Sequence, residues 1–598
     1  MGVVSNSFLE KIVISLFALL LLASCGGGGG NNAAGPADGA GNGTGVPDVP
    51  IQPSEAIYPG EISGQEYNAL TPQQKYQLAN KLLATMFRGV TVDEFFDTQN
   101  GLSQPVLKQP SNYLLDIRTK LEIELSQTQR DDLSVVIAGY DDVGTENDVN
   151  GVYSINYADA NSTWLKELAL GRILHYPLSK DMFDHWVAYI LTNSILFSPA
   201  EESDSASIRD VQKVYNKLVD DLRSNKTISQ ILQRHQRTQE NWRRFSSPGE
   251  NVRNMMSIYL GISDQDGDVA RAEIACKDWY LSDEANGYEL LSTLSPNSLP
   301  QMVLGEFVIS CGNFYDGISR HPSLVPHVTR VLVDHFHSSR NDLDKQNITE
   351  AILSSNPQTF QQIFKSILFS KEYLLNTERP KTFEESFLSM SQRLGWEPYS
   401  RLLENLFDDS SMLSMTQMGW ASMFYKYSRE AEMPLNAMSF AHQQHALRDG
   451  LLLDGGSGRS CVATSRCMSC TTGRCNWKYG LGLVSKAEPA ALPLDATPQQ
   501  QAKYNFDLDN YNRYAGVFNR IHNLTLNDCI DYLFISALSR PASAVEKADL
   551  TDVFDAKMML IDVSGEKQVS INYYDEVAQI AFDYMSRLHE TYYHLKIN

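Results

Sequence analysis

The sequence predicts a mainly α protein: a large multi-helix body, a loop-rich cysteine-containing insertion, and a C-terminal helical block. Three observations predict it. Helix-start signals recur along the chain, each with a capping residue, an acid or amide three positions on, and then an apolar stripe of helical period. Strand-like alternation is sparse, with "SVVIAG" near Val135 and "KQVSINYY" near Val569 as the two short candidates. No fixed-period repeat suggests a solenoid, although "SILFSPAEE" and "SILFSKEY" echo each other once.

The first 24 residues read as a signal peptide. Lys11 precedes an apolar run from Ile12 to Leu22, too short for a bilayer span of about 20 apolar residues. Leu22-Ala23-Ser24-Cys25 then resembles a bacterial lipobox, so Cys25 is the expected lipidation site and the membrane a partner through that anchor. Gly26, where an aspartate would retain the protein at the inner membrane, favours the outer membrane. Residues 25–57 are rich in glycine and have almost no residues able to bury apolar area, which predicts a flexible tether.

The main helical domain is expected over 58–449. Thr71 caps a helix with Pro72 at its first position and Gln74 completing a capping box, and Tyr76, Ala79, Leu82, Leu83 and Met86 form its buried face. Asn356-Pro357 is expected to start another, with Phe360, Ile363, Phe364, Ile367 and Leu368 buried. "SDQDGDV" offers three aspartates but neither the glycine nor the glutamate of a calcium loop, so it reads as acidic capping of a helix running to Trp279. Cys276 shares that helix's stripe with Val269 and Ala272, which predicts a buried thiol; a bridge to Cys311 is the alternative. After the insertion at 450–499, the block 500–598 carries a third capping device, Ser543 with Glu546.

Three segments within this body, "NVRNMMSIYLGISDQDGDVARAEIACKDWYL", "HPSLVPHVTRVLVDHF" and "FQQIFKSILFSKEYLL…RPKTFEESFLSMSQRLGW", resemble in order a large bacterial family, the domain of unknown function numbered eighteen hundred. The matching positions are Asn251, Arg253, Leu260, Gly261, Val269, Trp279, His321, Pro322, Phe336, Phe369, Ser370, Lys381, Phe383 and Glu384. The resemblance implies an exported, largely helical protein with no assigned chemistry. Where the family carries two histidines after a tryptophan, this chain has Val187 and Tyr189 after Trp186; where it carries carboxylates, Asn254 and Ser257 stand. His185 remains and reads as a partly buried polar residue.

Four of the eight cysteines, Cys461, Cys467, Cys470 and Cys475, fall within fifteen residues. Thr471 follows Cys470 where covalent haem would need histidine. A zinc ribbon needs two Cys-x-x-Cys knuckles, and the segment has one. An exported chain in an oxidising compartment favours two disulfides, with Cys461 joined to one middle cysteine and Cys475 to the other. No cofactor is predicted.

The net charge of −22 opposes phosphate backbones, so nucleic acid is excluded as a partner. His442, His445 and Asp449 lie at helical spacing on one face and offer a metal-dependent alternative, while His335 and His337 would diverge on a helix. No nucleophile elbow or phosphate loop is present. The sequence therefore favours a lipid-anchored cell-envelope protein acting as an interaction or assembly factor with an envelope protein partner. The alternative is an envelope hydrolase or metal-dependent enzyme sited near the end of the main domain.

Overall fold

The computed structural model describes residues 60–393 and 489–597, except 98–105, 141–144, 148–152, 156–171, 197–207, 264–266, 283–287, 294–298, 509–523 and several shorter gaps, together with 469–471 and 474–476. The chain divides into Met1–Glu55 and Ala56–Asn598. Everything below concerns the second unit.

Helices dominate it, and the strands are short antiparallel pairs. The Pro72–Thr85 helix starts as its sequence dictates. Thr71 Oγ1 accepts from Gln74 N, and the Gln74 amide oxygen accepts from Thr71 N at 2.8 Å, which satisfies two N–H groups that a helix start leaves without partners. All five of its expected core residues are buried. A second central helix, Lys180–Thr192, is buried from Asp181 to its end. The Trp186 indole donates to Thr85 O at 3.0 Å, tying the second helix to the end of the first. Around Trp186 pack Phe364 and Phe336, with Tyr373 against Phe336. Phe364 comes from the Phe360–Leu368 helix, whose expected stripe is buried throughout.

Four details differ from the sequence expectations. The Phe360 helix is capped by Thr359, boxed with Gln362, and Asn356 instead adopts φ 52° just beyond the preceding helix. Asparagine tolerates that left-handed conformation. "SVVIAG" lies in the helix Gln127–Tyr140, introduced by Ser126 and Gln129, which exchange capping hydrogen bonds. The helix starting at Asp268 ends at Ala275; Cys276–Asp278 form a tighter 3-10 turn and Trp279 opens a strand. That turn presents Cys276 to the start of the Cys311–Arg320 helix, and the two cysteines form a disulfide rather than leaving a buried thiol. Cys529 is a free, buried thiol.

The C-terminal residues close over the same body. The Leu526–Leu538 helix packs against Phe383–Arg393 and Tyr574–Met585. "KQVSINYY" does supply a strand, Glu566–Val569, paired with Leu560–Val563. The chain end pairs Tyr593–His594 with Arg379–Pro380. Among the described residues no helix is long and apolar enough to cross a membrane.

Candidate functional site

The residues singled out by sequence divide sharply. Cys25, Cys461, Cys467, His442, His445 and Asp449 lie outside the described residues. Cys470 and Cys475 are directly opposed in the register of the short Ser469–Thr471 and Arg474–Asn476 strands. His185 is fully buried: its Nδ1 is 2.6 Å from the Tyr215 hydroxyl, and its Nε2 is 3.3 Å from Arg223 Nη2. Burial, reinforced by Arg172 and Arg223, holds its pKa well below the ordinary value, so it is neutral. Tyr189 donates to Glu384 Oε1 at 3.0 Å inside the core. His337 meets Thr377 Oγ1 at 2.9 Å, and burial lowers its pKa to about 3. His335 stacks edge-on against Phe336. Among the described residues no group of three or more His, Cys, Asp or Glu is placed to hold a metal ion.

Two surfaces stand out instead. The first is a pair of hairpins rooted at the Cys276–Cys311 disulfide. Trp279–Leu281 pairs with Leu290–Ser292, leaving the turn that holds Cys276; Gln301–Val303 pairs with Glu306–Val308, which leads into the helix headed by Cys311. Each hairpin turns one directly opposed apolar pair outward, Tyr280 with Leu291 and Met302 with Phe307. Phe307 is 74% exposed, and Leu299, Ile309 and Ile274 nearby in sequence are exposed too. At the roots, Asp278 accepts from Cys311 N at 3.2 Å, and Trp279 packs between Trp242 and Tyr315. Firm roots and apolar tips are thus joined over a few residues.

The second is a recess of about 120 Å³ between the Pro72–Thr85 helix, the end of the Phe383–Arg393 helix, the 537–540 turn and the chain end. Its wall carries Lys81, Lys381, Arg393, Arg540 and Lys596, against the single carboxylate Glu590. Lys81, Lys381 and Arg393 are only 6%, 8% and 4% exposed. Lys81 Nζ donates to Thr377 O at 2.6 Å and Leu595 O at 3.0 Å. Lys381 Nζ donates to Glu590 O at 2.9 Å and Thr591 O at 3.3 Å. Arg393 donates to Ser539 Oγ at 3.1 Å and Ser389 O at 3.4 Å. Gly89 makes room for its stem, since a Cβ there would sit 2.5 Å from Arg393 Cγ. Among the described residues none of these three cations has a carboxylate within ion-pair distance, whereas Arg540 grips Glu546 and Glu590.

Burial, then the Arg379 charge, lowers the Lys81 pKa to about 7; burial, then Arg393, does the same to Lys381. Burial brings Arg393 down to about 10. Sequence reasoning reached Lys381 through the resemblance alone. The other signals were faint: a lysine inside the apolar run "LANKLLA" and an arginine in "FEESFLSMSQR".

Comparison with known families, with curated proteins and with solved structures finds no match to this chain.

Proposed function

We propose that the protein is a lipid-anchored helical component of a bacterial cell envelope, working as an interaction or assembly factor that docks a protein partner on its two hairpins. The observation that carries this reading is the outward pairing of Tyr280 with Leu291 and Met302 with Phe307 on hairpins rooted at one disulfide. Aromatic and long apolar side chains held on a rigid base present contact area at little ordering cost, the property that concentrates binding energy in a few residues. The disulfide supports an oxidising compartment, in keeping with the Leu22–Cys25 lipobox.

Two measurements test the reading separately. Cys25→Ser should abolish partitioning into a detergent phase; retained partitioning would remove the lipid anchor. The full chain, captured from solubilised membranes, should bring down a stoichiometric envelope protein that Met302→Asp with Phe307→Asp loses while helical circular dichroism stays unchanged. Identical capture by both forms would remove the hairpins as the docking surface.

A further inference from the structure

We propose that the recess lined by Lys81, Lys381 and Arg393 is a binding site for a small phosphate, either inorganic phosphate or a short phosphomonoester. This goes beyond the docking reading, because the recess is built from other parts of the chain. Burying a cation is strongly unfavourable unless an opposite charge or a full set of acceptors meets it. Here three buried cations line one cavity, in a protein whose net charge is −22, and none faces a carboxylate at ion-pair distance among the described residues.

Their donor capacity is also incompletely used. An ammonium has three N–H groups and a guanidinium five. Among the described residues Lys81 and Lys381 each give two bonds to backbone carbonyls, leaving one N–H on each, and Arg393 gives two bonds, leaving three N–H groups. The carbonyls hold the cations in place without neutralising them.

The ligand class follows from charge, number of acceptors and size. A phosphomonoester carries about −1.5 to −2 charges near neutral pH and three strong acceptor oxygens, one for each cation. Lysines serve phosphate as point charges, and the Arg393 guanidinium, partly engaged by Ser539 and Ser389, adds a third positive group. At about 10–15 Å³ for each water-sized group, the 120 Å³ recess admits a ligand of roughly ten non-hydrogen atoms. Burial first, and then the neighbouring cations Arg379 and Arg393, lower the pKa values of Lys81 and Lys381, and the charges of Glu378, Glu372, Glu385 and Glu590 do not offset them.

The test is calorimetric titration of the full chain, purified in detergent, with inorganic phosphate, glycerol 3-phosphate and succinate at matched ionic strength. We expect saturable binding of a phosphate, and the tighter of the two identifies the source of the group. Lys381→Met with Arg393→Met should weaken it by about 10-fold or more per lost charge-assisted contact. If that variant loses its helical circular dichroism, Lys596→Glu at the exposed rim carries the test, with an expected loss of about 3-fold or more. No phosphate binding above the sodium chloride control, tighter binding of succinate, or unchanged affinity in a folded variant would overturn the proposal.

Discussion

Two buried arginines, Arg379 and Arg393, stand at opposite ends of one short stretch and meet opposite surroundings. Arg379 is held by the Glu385 carboxylate through two hydrogen bonds, at 2.9 and 2.6 Å, and by the Tyr373 hydroxyl at 2.9 Å. Glu385 in turn accepts from Thr382 N at 2.8 Å. Burial alone would raise the Glu385 pKa, but the Arg379 charge and the bonds around it hold it well below the carboxylate range. His594 lies 3.5 Å from Glu385 yet is neutral, because burial and Arg379 push its pKa down to about 3. Among the described residues Arg393 meets a serine hydroxyl and a carbonyl and no carboxylate. One guanidinium is neutralised from within the chain and works as a structural fastener; the other leaves its charge open to a cavity.

The contrast predicts unequal effects. Glu385→Gln should be the most damaging change, at about 3–5 kcal/mol, because it leaves Arg379 buried without its counter-charge; chemical denaturation measures it. Gly89→Ala should follow, at about 1–3 kcal/mol, since the new Cβ would meet both the Arg393 stem and Ser389 O at 2.5 Å.

The pH response separates the two regions by window rather than by sign. Glu385, depressed in the folded state, contributes stability that is present above its ordinary pKa of 4.5 and lost as pH falls through the folded value. Lys81 and Lys381 respond in the same direction but at higher pH, where proton release relieves a burial cost. Below pH 7 they are charged both folded and unfolded, and the cost of burying that charge is fully present. Between about 7 and the ordinary 10.5 the folded lysines release protons that the unfolded ones keep, so stability rises with pH. Cys529, pushed up to about 12 by burial, opposes this only above its ordinary value of 9.0. Phosphate-free protein should therefore gain about 2 kcal/mol for each of the two lysines between pH 7 and 9, and Lys81→Met with Lys381→Met should flatten that rise. An unchanged slope in the variant would show that the recess lysines are not the source. Smallest of all, Lys381→Met alone should alter stability at pH 7 by less than about 1.5 kcal/mol in either direction, because an apolar stem of similar volume replaces a charge that has no carboxylate at ion-pair distance among the described residues.

Helix starts were legible because a cap is a local device: Thr71 with Gln74 and Ser543 with Glu546 fold as their spacing dictates. Asn356-Pro357 misled because Thr359 and Gln362 offered the same device three residues later. The β-branched run at Val135 masked the stronger signal of Ser126 and Gln129 just before it. The disulfide joins residues 35 apart through a helix end that periodicity did not place. The recess was the least legible feature, since Lys81, Lys381, Arg393, Arg540 and Lys596 meet only once the C-terminal residues pair with Arg379 and Pro380. No local pattern encodes which buried cations will find a carboxylate.

The most direct test of that distinction is the unfolding free energy of Arg379→Met and Arg393→Met, measured side by side in phosphate-free buffer at pH 7. Arg379→Met should lose about 3–5 kcal/mol by orphaning Glu385, while Arg393→Met should stay within about 1 kcal/mol of the unaltered chain or gain stability. Equal losses in the two variants would contradict the account, because Arg393 would then be as firmly compensated as Arg379.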